Sequence, residues 1–128
     1  MAGTYNLRVS CGFAAAHQLR GYPGDCSRLH GHNWRVEAEI KAQQLDAVGM
    51  GLDFREIRRE LRAIAKRLDH RYLNEIEPFD EINPTAENIA RYFFHELGAR
   101  LNCPAVTVDA VTVWENEHAS VRDTDQEA

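Results

Sequence analysis

The spacing of apolar residues changes twice along this chain, and those changes restrict the fold more than any other feature. Tyr5, Leu7, Val9, Cys11 and Phe13 share one parity; Trp34, Val36, Ala38 and Ile40 form a second alternating run, with Arg35, Glu37, Glu39 and Lys41 between them. A period of two belongs to a strand with one covered face and one wet face. Alternation of this kind is the mark of antiparallel sheets, so the two runs are expected to pair. After the Gly49–Gly51 turn the period lengthens. Phe54, Ile57, Leu61, Ile64 and Leu68 step by 3, 4, 3 and 4, one side of an amphipathic helix, and Asp53 precedes them as its cap. A second helix is expected after Asn83-Pro84, with Thr85 as N-cap, Glu87 in the positive first turn, and Ala86, Ile89, Ala90, Phe93 and Leu97 as its buried stripe. Gly98 weakens it and Pro104 prevents its continuation.

The period of two then returns. Val106 and Val108 alternate, the parity shifts around Asp109-Ala110, and Val111, Val113 and Glu115 resume, which predicts a bulge. A short last strand is expected over Ala119–Val121, ahead of a polar tail. The order is ββααββ: one α+β domain over residues 1–128, with about 123–128 as a flexible tail.

Composition agrees with one globular domain: 128 residues, 44% hydrophobic and 27% charged, with a net charge of −5. The acidic balance argues against a nucleic-acid partner. No apolar run approaches the roughly 18–20 residues of a membrane span. The start MAGTYNLRVS lacks the regions of a signal peptide, so a cytoplasmic location is expected. The three cysteines, Cys11, Cys26 and Cys103, cannot all pair and match no zinc-ribbon spacing.

What composition leaves to explain is six histidines. His30 and His32 flank Gly31 at the start of the second strand, and positions i and i+2 of a strand point the same way. His17 ends the first strand and comes near them if the strands pair. Three neutral imidazoles offer a zinc site with one open position, the catalytic pattern, although cobalt, nickel or ferrous iron suit the same ligands. Cys26 lies four residues before His30, where a metal and imidazoles would favour its thiolate as a base or nucleophile; the plainer reading is a small hydrophobe, as for Cys11 and Cys103. Asp69-His70 follows the last core residue of the first helix. Locally the plain reading is favoured there, a histidine at the negative helix end, because helix neighbours diverge by about 100° and Asp69 could orient His70 only where the helix ends. Glu115 shares the inward parity of Val111 and Val113. It either turns to water at the strand end or accepts two N–H groups from an amidine-like ligand edge.

Together FAAAH, CSRLHGHN, LDF, RLDHRYLN, NPTAENIA and VWENEHA resemble the 6-pyruvoyltetrahydropterin synthase family over nearly the whole chain. The narrower resemblance is to its bacterial queuosine-pathway branch, which forms 6-carboxy-5,6,7,8-tetrahydropterin. The most specific element is the spacing of Cys26 from His30-Gly31-His32: the pyruvoyl-forming branch has five residues between, the carboxy-forming branch three, and this chain has Ser27, Arg28 and Leu29. The resemblance implies a lyase, holding one zinc per subunit, that converts 7,8-dihydroneopterin triphosphate to the carboxy product with release of acetaldehyde and triphosphate. By position, His17, His30 and His32 match the zinc ligands and Cys26 the proton-taking cysteine. Asp69 and His70 match the pair that assists it, which overturns the local reading. Glu115 matches the glutamate that grips the pterin edge and is counted with the relay. Thr85 falls at the helix start beside the pterin.

The implied fold is the tunnelling fold: a four-stranded antiparallel sheet with two helices on one face, joined into a barrel, usually a homohexamer built as a dimer of trimers with sites between subunits. Gly51 before LDF, and EHASVRD without its usual tyrosine, depart from the family pattern but touch no assigned role. Arg20 and Arg28 are the cations nearest in sequence for a triphosphate, although a solvated loop is the simpler reading of each. The alternatives are the pyruvoyl-forming reaction and a catalytically silent zinc-binding scaffold; the joint presence of Cys26, Asp69, His70 and Glu115 argues against the scaffold. Dihydroneopterin side-chain cleavage is tied to members with glutamate near the cysteine position, and Cys26 argues against it.

Overall fold

A computed structural model describes residues 3–24 and 27–125. Both alternating runs are strands: β1 spans Tyr5–His17 and β2 spans His30–Ala42. They pair antiparallel from Tyr5 opposite Ala42 to His17 opposite His30, so the register delivers two of the histidines to one end of the hairpin. α1 (Phe54–Leu68) begins at Asp53, whose Oδ1 accepts from the Arg55 N–H at 2.8 Å. β3 is the two-residue strand Arg71–Tyr72, and a short 3-10 turn over Leu73–Glu75 follows it. α2 (Ala86–Leu101) begins at Thr85, whose Oγ1 accepts from the Asn88 N–H at 3.1 Å. β4 (Val106–Asn116) pairs with β2, and β5 (Ala119–Asp123) pairs with β4. The bulge falls where the parity shift put it: Glu39 faces Ala110 and Ile40 faces Val108, leaving Asp109 as the extra residue.

Two expectations are corrected. The sheet has five strands in the order β3-β1-β2-β4-β5, not four, because β3 adds to the free edge of β1 in parallel. A two-residue strand has no periodicity to read. It forms because the chain leaves α1 in extended backbone at Asp69 and turns through a left-handed His70 (φ 58°), which brings the His70 N–H to Ala14 O at 2.6 Å. The last strand also runs further than Ala119–Val121. Asp123, placed in the tail by the sequence, ends β5, and the Arg91 guanidinium holds its carboxylate at 2.6 Å.

Both helices lie on one face of the sheet. Phe13, Trp34, Val36, Ala38 and Ile40 form one core cluster with Ile57, Leu61 and Leu68 of α1 and Ile89, Phe93 and Leu97 of α2. Each large side chain withdrawn from water there stabilises the fold by about 1.5–3 kcal/mol, so the cluster fixes which face of β1 and β2 is covered. His17, His30 and His32 share the parity of that covered face. The intervening residues point to a helix-free face, where Glu39 pairs with Arg122 at 2.8 Å. Among the described residues no helix is long and apolar enough to cross a membrane.

Candidate metal centre

At the end of the β1–β2 hairpin the covered face stops being apolar. Ligand atoms of His17, His30, His32 and Glu115 lie within 4.8 Å of one another. β1 supplies the buried His17, β2 supplies His30 and His32 from alternate positions, and β4 supplies Glu115 from its last turn of alternation. Trp34 walls the group from the core, its ring edge-on to His17 at 5.1 Å and to His32 at 5.3 Å.

The hydrogen bonds around the imidazoles decide what the group requires. His17 Nδ1 lies 2.7 Å from Pro84 O, and His30 Nδ1 lies 2.7 Å from Arg28 O. A carbonyl accepts, so both Nδ1 atoms carry the proton and both Nε2 atoms of the neutral rings present lone pairs. Those two Nε2 atoms stand 2.9 Å apart. Lone pairs at that distance repel unless a proton or a cation lies between them. Burial, joined by the charge of the neighbouring histidine, pushes His17 below the usual histidine range and so works against the proton, with the Pro84 bond and Glu115 opposing it. Burial also lowers His32, against the pull of Glu115. His32 Nε2 is shut from solvent and makes no aligned hydrogen bond, although Glu115 Oε1 stands 2.8 Å away. Three inward imidazole nitrogens with one carboxylate oxygen form a donor set that suits a divalent transition metal.

The other expected site residues lie around this group. Asp69 Oδ1 accepts from the Ala14 N–H at 2.9 Å and stands 3.0 Å from His70 Nδ1. The Ala14 bond, with help from His70, holds Asp69 below the usual carboxylate range. The sequence objection to this pair was that neighbours on a helix diverge; the pair meets because the helix ends at Asp69 and His70 turns left-handed. His70 borders an open cleft of about 540 Å³ with His32, Asn33, Tyr72, Ala16 and Gly31, so both chemistries open on one space. Glu115 is placed beside the imidazoles, 3.6 Å from His17 Nε2, and is half-buried rather than turned out to water. Thr85 caps α2 next to Pro84, whose carbonyl orients His17.

Cys26 lies outside the described residues; on either side of it, the Ser27 N–H and Oγ–H donate to Gly24 O at 3.2 and 2.7 Å. Of the two cations nearest in sequence, Arg20 is committed to the fold, donating to Phe79 O and Ile82 O at 2.8 and 2.9 Å. The carbonyls of Pro84 and Arg28, which orient the ligand rings, escaped the sequence reading because backbone acceptors leave no residue-type signal.

Known proteins resemble this chain. A Synechocystis sp. protein named 6-carboxy-5,6,7,8-tetrahydropterin synthase is 38% identical over 90 residues, covering 66% of this chain and 68% of its own. A Pyrococcus furiosus protein named dihydroneopterin monophosphate aldolase is 31% identical over 110 residues, covering 85% and 88%. The solved structure of Caenorhabditis elegans 6-pyruvoyl tetrahydropterin synthase superposes with a TM-score of 0.85 at 24% identity, covering 97% of each chain, and so shares the fold. The match to the family pattern itself runs over residues 6–125, from the first strand to beyond the last; this chain belongs to the 6-pyruvoyl tetrahydropterin synthase family.

Proposed function

We propose that this chain is a zinc-dependent carbon–carbon lyase, a 6-carboxy-5,6,7,8-tetrahydropterin synthase acting on 7,8-dihydroneopterin triphosphate in queuosine biosynthesis. The observation that carries the reading is the facing pair of Nε2 lone pairs of His17 and His30, 2.9 Å apart, in a chain whose relatives act on pterins. His17, His30 and His32 would hold one zinc per subunit, and a bound zinc would supply Lewis acidity toward the hydroxyls of the substrate side chain.

The chain's own residues do the rest. Cys26, as thiolate, takes and returns protons along the side chain, and His70, oriented by Asp69, shares that proton. Glu115 accepts the paired N–H groups of the pterin edge. Its carboxylate stands 2.8 Å from His32 Nε2, which supports a pterin edge held close to the metal ligands. Thr85 lines the pterin from the start of α2. Triphosphate leaves, and water adds to the side-chain carbonyl next to the ring. Breaking the adjoining carbon–carbon bond leaves the carboxyl on the ring and, with a proton returned to the departing acyl carbon, releases acetaldehyde.

In this reading residues 1–128 form one domain, and subunits close into a barrel, a homohexamer in the cytoplasm. Pairing of strand edges between subunits removes the open edges that β3 and β5 leave. The kinship to an aldolase favours one second reading, dihydroneopterin side-chain cleavage without the carboxy product. Incubation with dihydroneopterin triphosphate separates them: acetaldehyde with 6-carboxytetrahydropterin supports the proposal. Glycolaldehyde, or a pyruvoyl product without acetaldehyde, rejects it.

A further inference from the structure

We infer that Arg35, held over Trp114 on the helix-free face of the sheet, is the guanidinium that receives the substrate's phosphate tail; this rests on the reading of the substrate as a pterin triphosphate. A tail carrying several negative charges needs a cation beside the site of an acidic protein, and most arginines here are already engaged. Arg8 and Arg122 face Glu39, Arg55 pairs with Asp53, Arg59 and Arg100 with Glu60, and Arg91 with Asp123. Arg67 donates to the Tyr92 hydroxyl, and Arg20 to backbone carbonyls. Arg58 and Arg62 face solvent on α1 and border neither the cleft nor the cavity beside Trp114.

Arg35 differs from all of these. Its guanidinium carbon lies 4.8 Å from the centre of the Trp114 ring, so the group is fixed by stacking, yet no carboxylate among the described residues pairs with it. Arg71 borders the cleft itself and Arg28 lies near it, but among the described residues neither is stacked on an aromatic ring. Arg35, Trp114, Asn33 and Asn116 border a cavity of about 410 Å³. Asn33 also borders the cleft that holds His32 and His70, so the two spaces adjoin. Glu117 also borders this cavity, but its side chain is 86% exposed and pairs with His118 at 3.4 Å rather than with the guanidinium. Arg35 is two positions along β2 from Asn33 and on the same face, roughly 7 Å at strand rise, so a phosphate tail that leaves the cleft past Asn33 meets the guanidinium. A planar guanidinium pre-set by stacking offers two parallel N–H groups to a phosphate, which a lysine cannot.

Inorganic triphosphate is the probe. Calorimetric titration of the metal-loaded protein, with metal content measured before and after, should show one site per chain. Arg35→Gln should weaken it by about 10- to 100-fold, the loss expected of one charge-assisted pair, and Arg35→Lys by less. Binding should also change the emission of Trp114, since Trp34, 1% exposed, is sealed in the core. The double variant Arg58→Gln/Arg62→Gln should bind as the unaltered protein does. Equal affinity in Arg35→Gln, or an equal loss in the α1 variant, would overturn the inference. If triphosphate binds through Arg35 but the pterin triphosphate is not turned over, the enzyme assignment fails and the anion site stands. If acetaldehyde is released with an unchanged KM in Arg35→Gln, the anion site fails and the assignment stands.

Discussion

Two polar clusters sit on this one sheet, and their charges balance in opposite ways. On the helix-free face Glu39, 8% exposed, meets Arg122 at 2.8 and 3.2 Å and Arg8 at 3.9 Å, each donor finding an acceptor of opposite charge. On the covered face, at the end of the hairpin, His17 and His30 turn lone pairs toward each other, and the buried His32 Nε2 makes no aligned hydrogen bond among the described residues, with Glu115 Oε1 2.8 Å away. The first cluster is complete in itself and needs no visitor. The second closes only around a proton or a cation. A polar group whose internal partners do not close marks the site better than polarity or burial alone, because Glu39 is more deeply buried than Glu115.

That contrast can be broken at either cluster, and the expected effects differ in kind. His30→Ala removes a ligand and should take bound metal from about one per chain to near none, with turnover lost; stoichiometric metal in a folded His30→Ala protein would dismantle the ligand set. Cys26→Ala should leave the metal in place and lower kcat by about 10²–10⁴-fold, the usual share of a positioned proton carrier. Metal analysis beside steady-state rates separates these two variants. Asp69→Ala frees His70 and orphans the Ala14 N–H. Turnover should fall by about tenfold or more, as for a lost orienting partner, with metal content unchanged.

The smallest effect belongs to the closed cluster. Arg122→Ala should cost about 1 kcal/mol of stability, discounted because the arginine is half exposed, and should alter neither metal content nor rate. Its pH signature has a definite sign. The Arg122 hydrogen bond holds the Glu39 carboxyl below its ordinary range. The pair's contribution is therefore complete above the ordinary glutamate pKa and disappears as pH falls through the lowered one. Denaturation of Arg122→Ala should show a shallower loss of stability in acid than the unaltered chain.

The features that repeat in sequence were legible: two long strands, two helices with their Asp53 and Thr85 caps, and the bulge at Asp109 all follow from periods and capping chemistry. The hairpin register brings His17 and His30 together, and that too follows from alternation once the strands pair. β3 was not legible, because two residues carry no period and its pairing depends on the left-handed turn at His70. The same turn makes Asp69 and His70 partners, which local helix geometry allowed only at the helix end. The imidazole tautomers depend on the carbonyls of Pro84 and Arg28, and no residue type announces a carbonyl. Arg20 shows the converse: its sequence reading was a solvated loop or, less simply, a cation for the triphosphate, while the fold holds its guanidinium on the carbonyls of Phe79 and Ile82.

The central claim, that the unbalanced histidine cluster is a metal-dependent pterin lyase centre, is tested most directly by mass-spectrometric product analysis with metal content measured on the same sample. The account predicts one zinc per chain and equimolar acetaldehyde and 6-carboxytetrahydropterin from dihydroneopterin triphosphate. Full turnover by metal-free protein, or turnover without acetaldehyde, would contradict it.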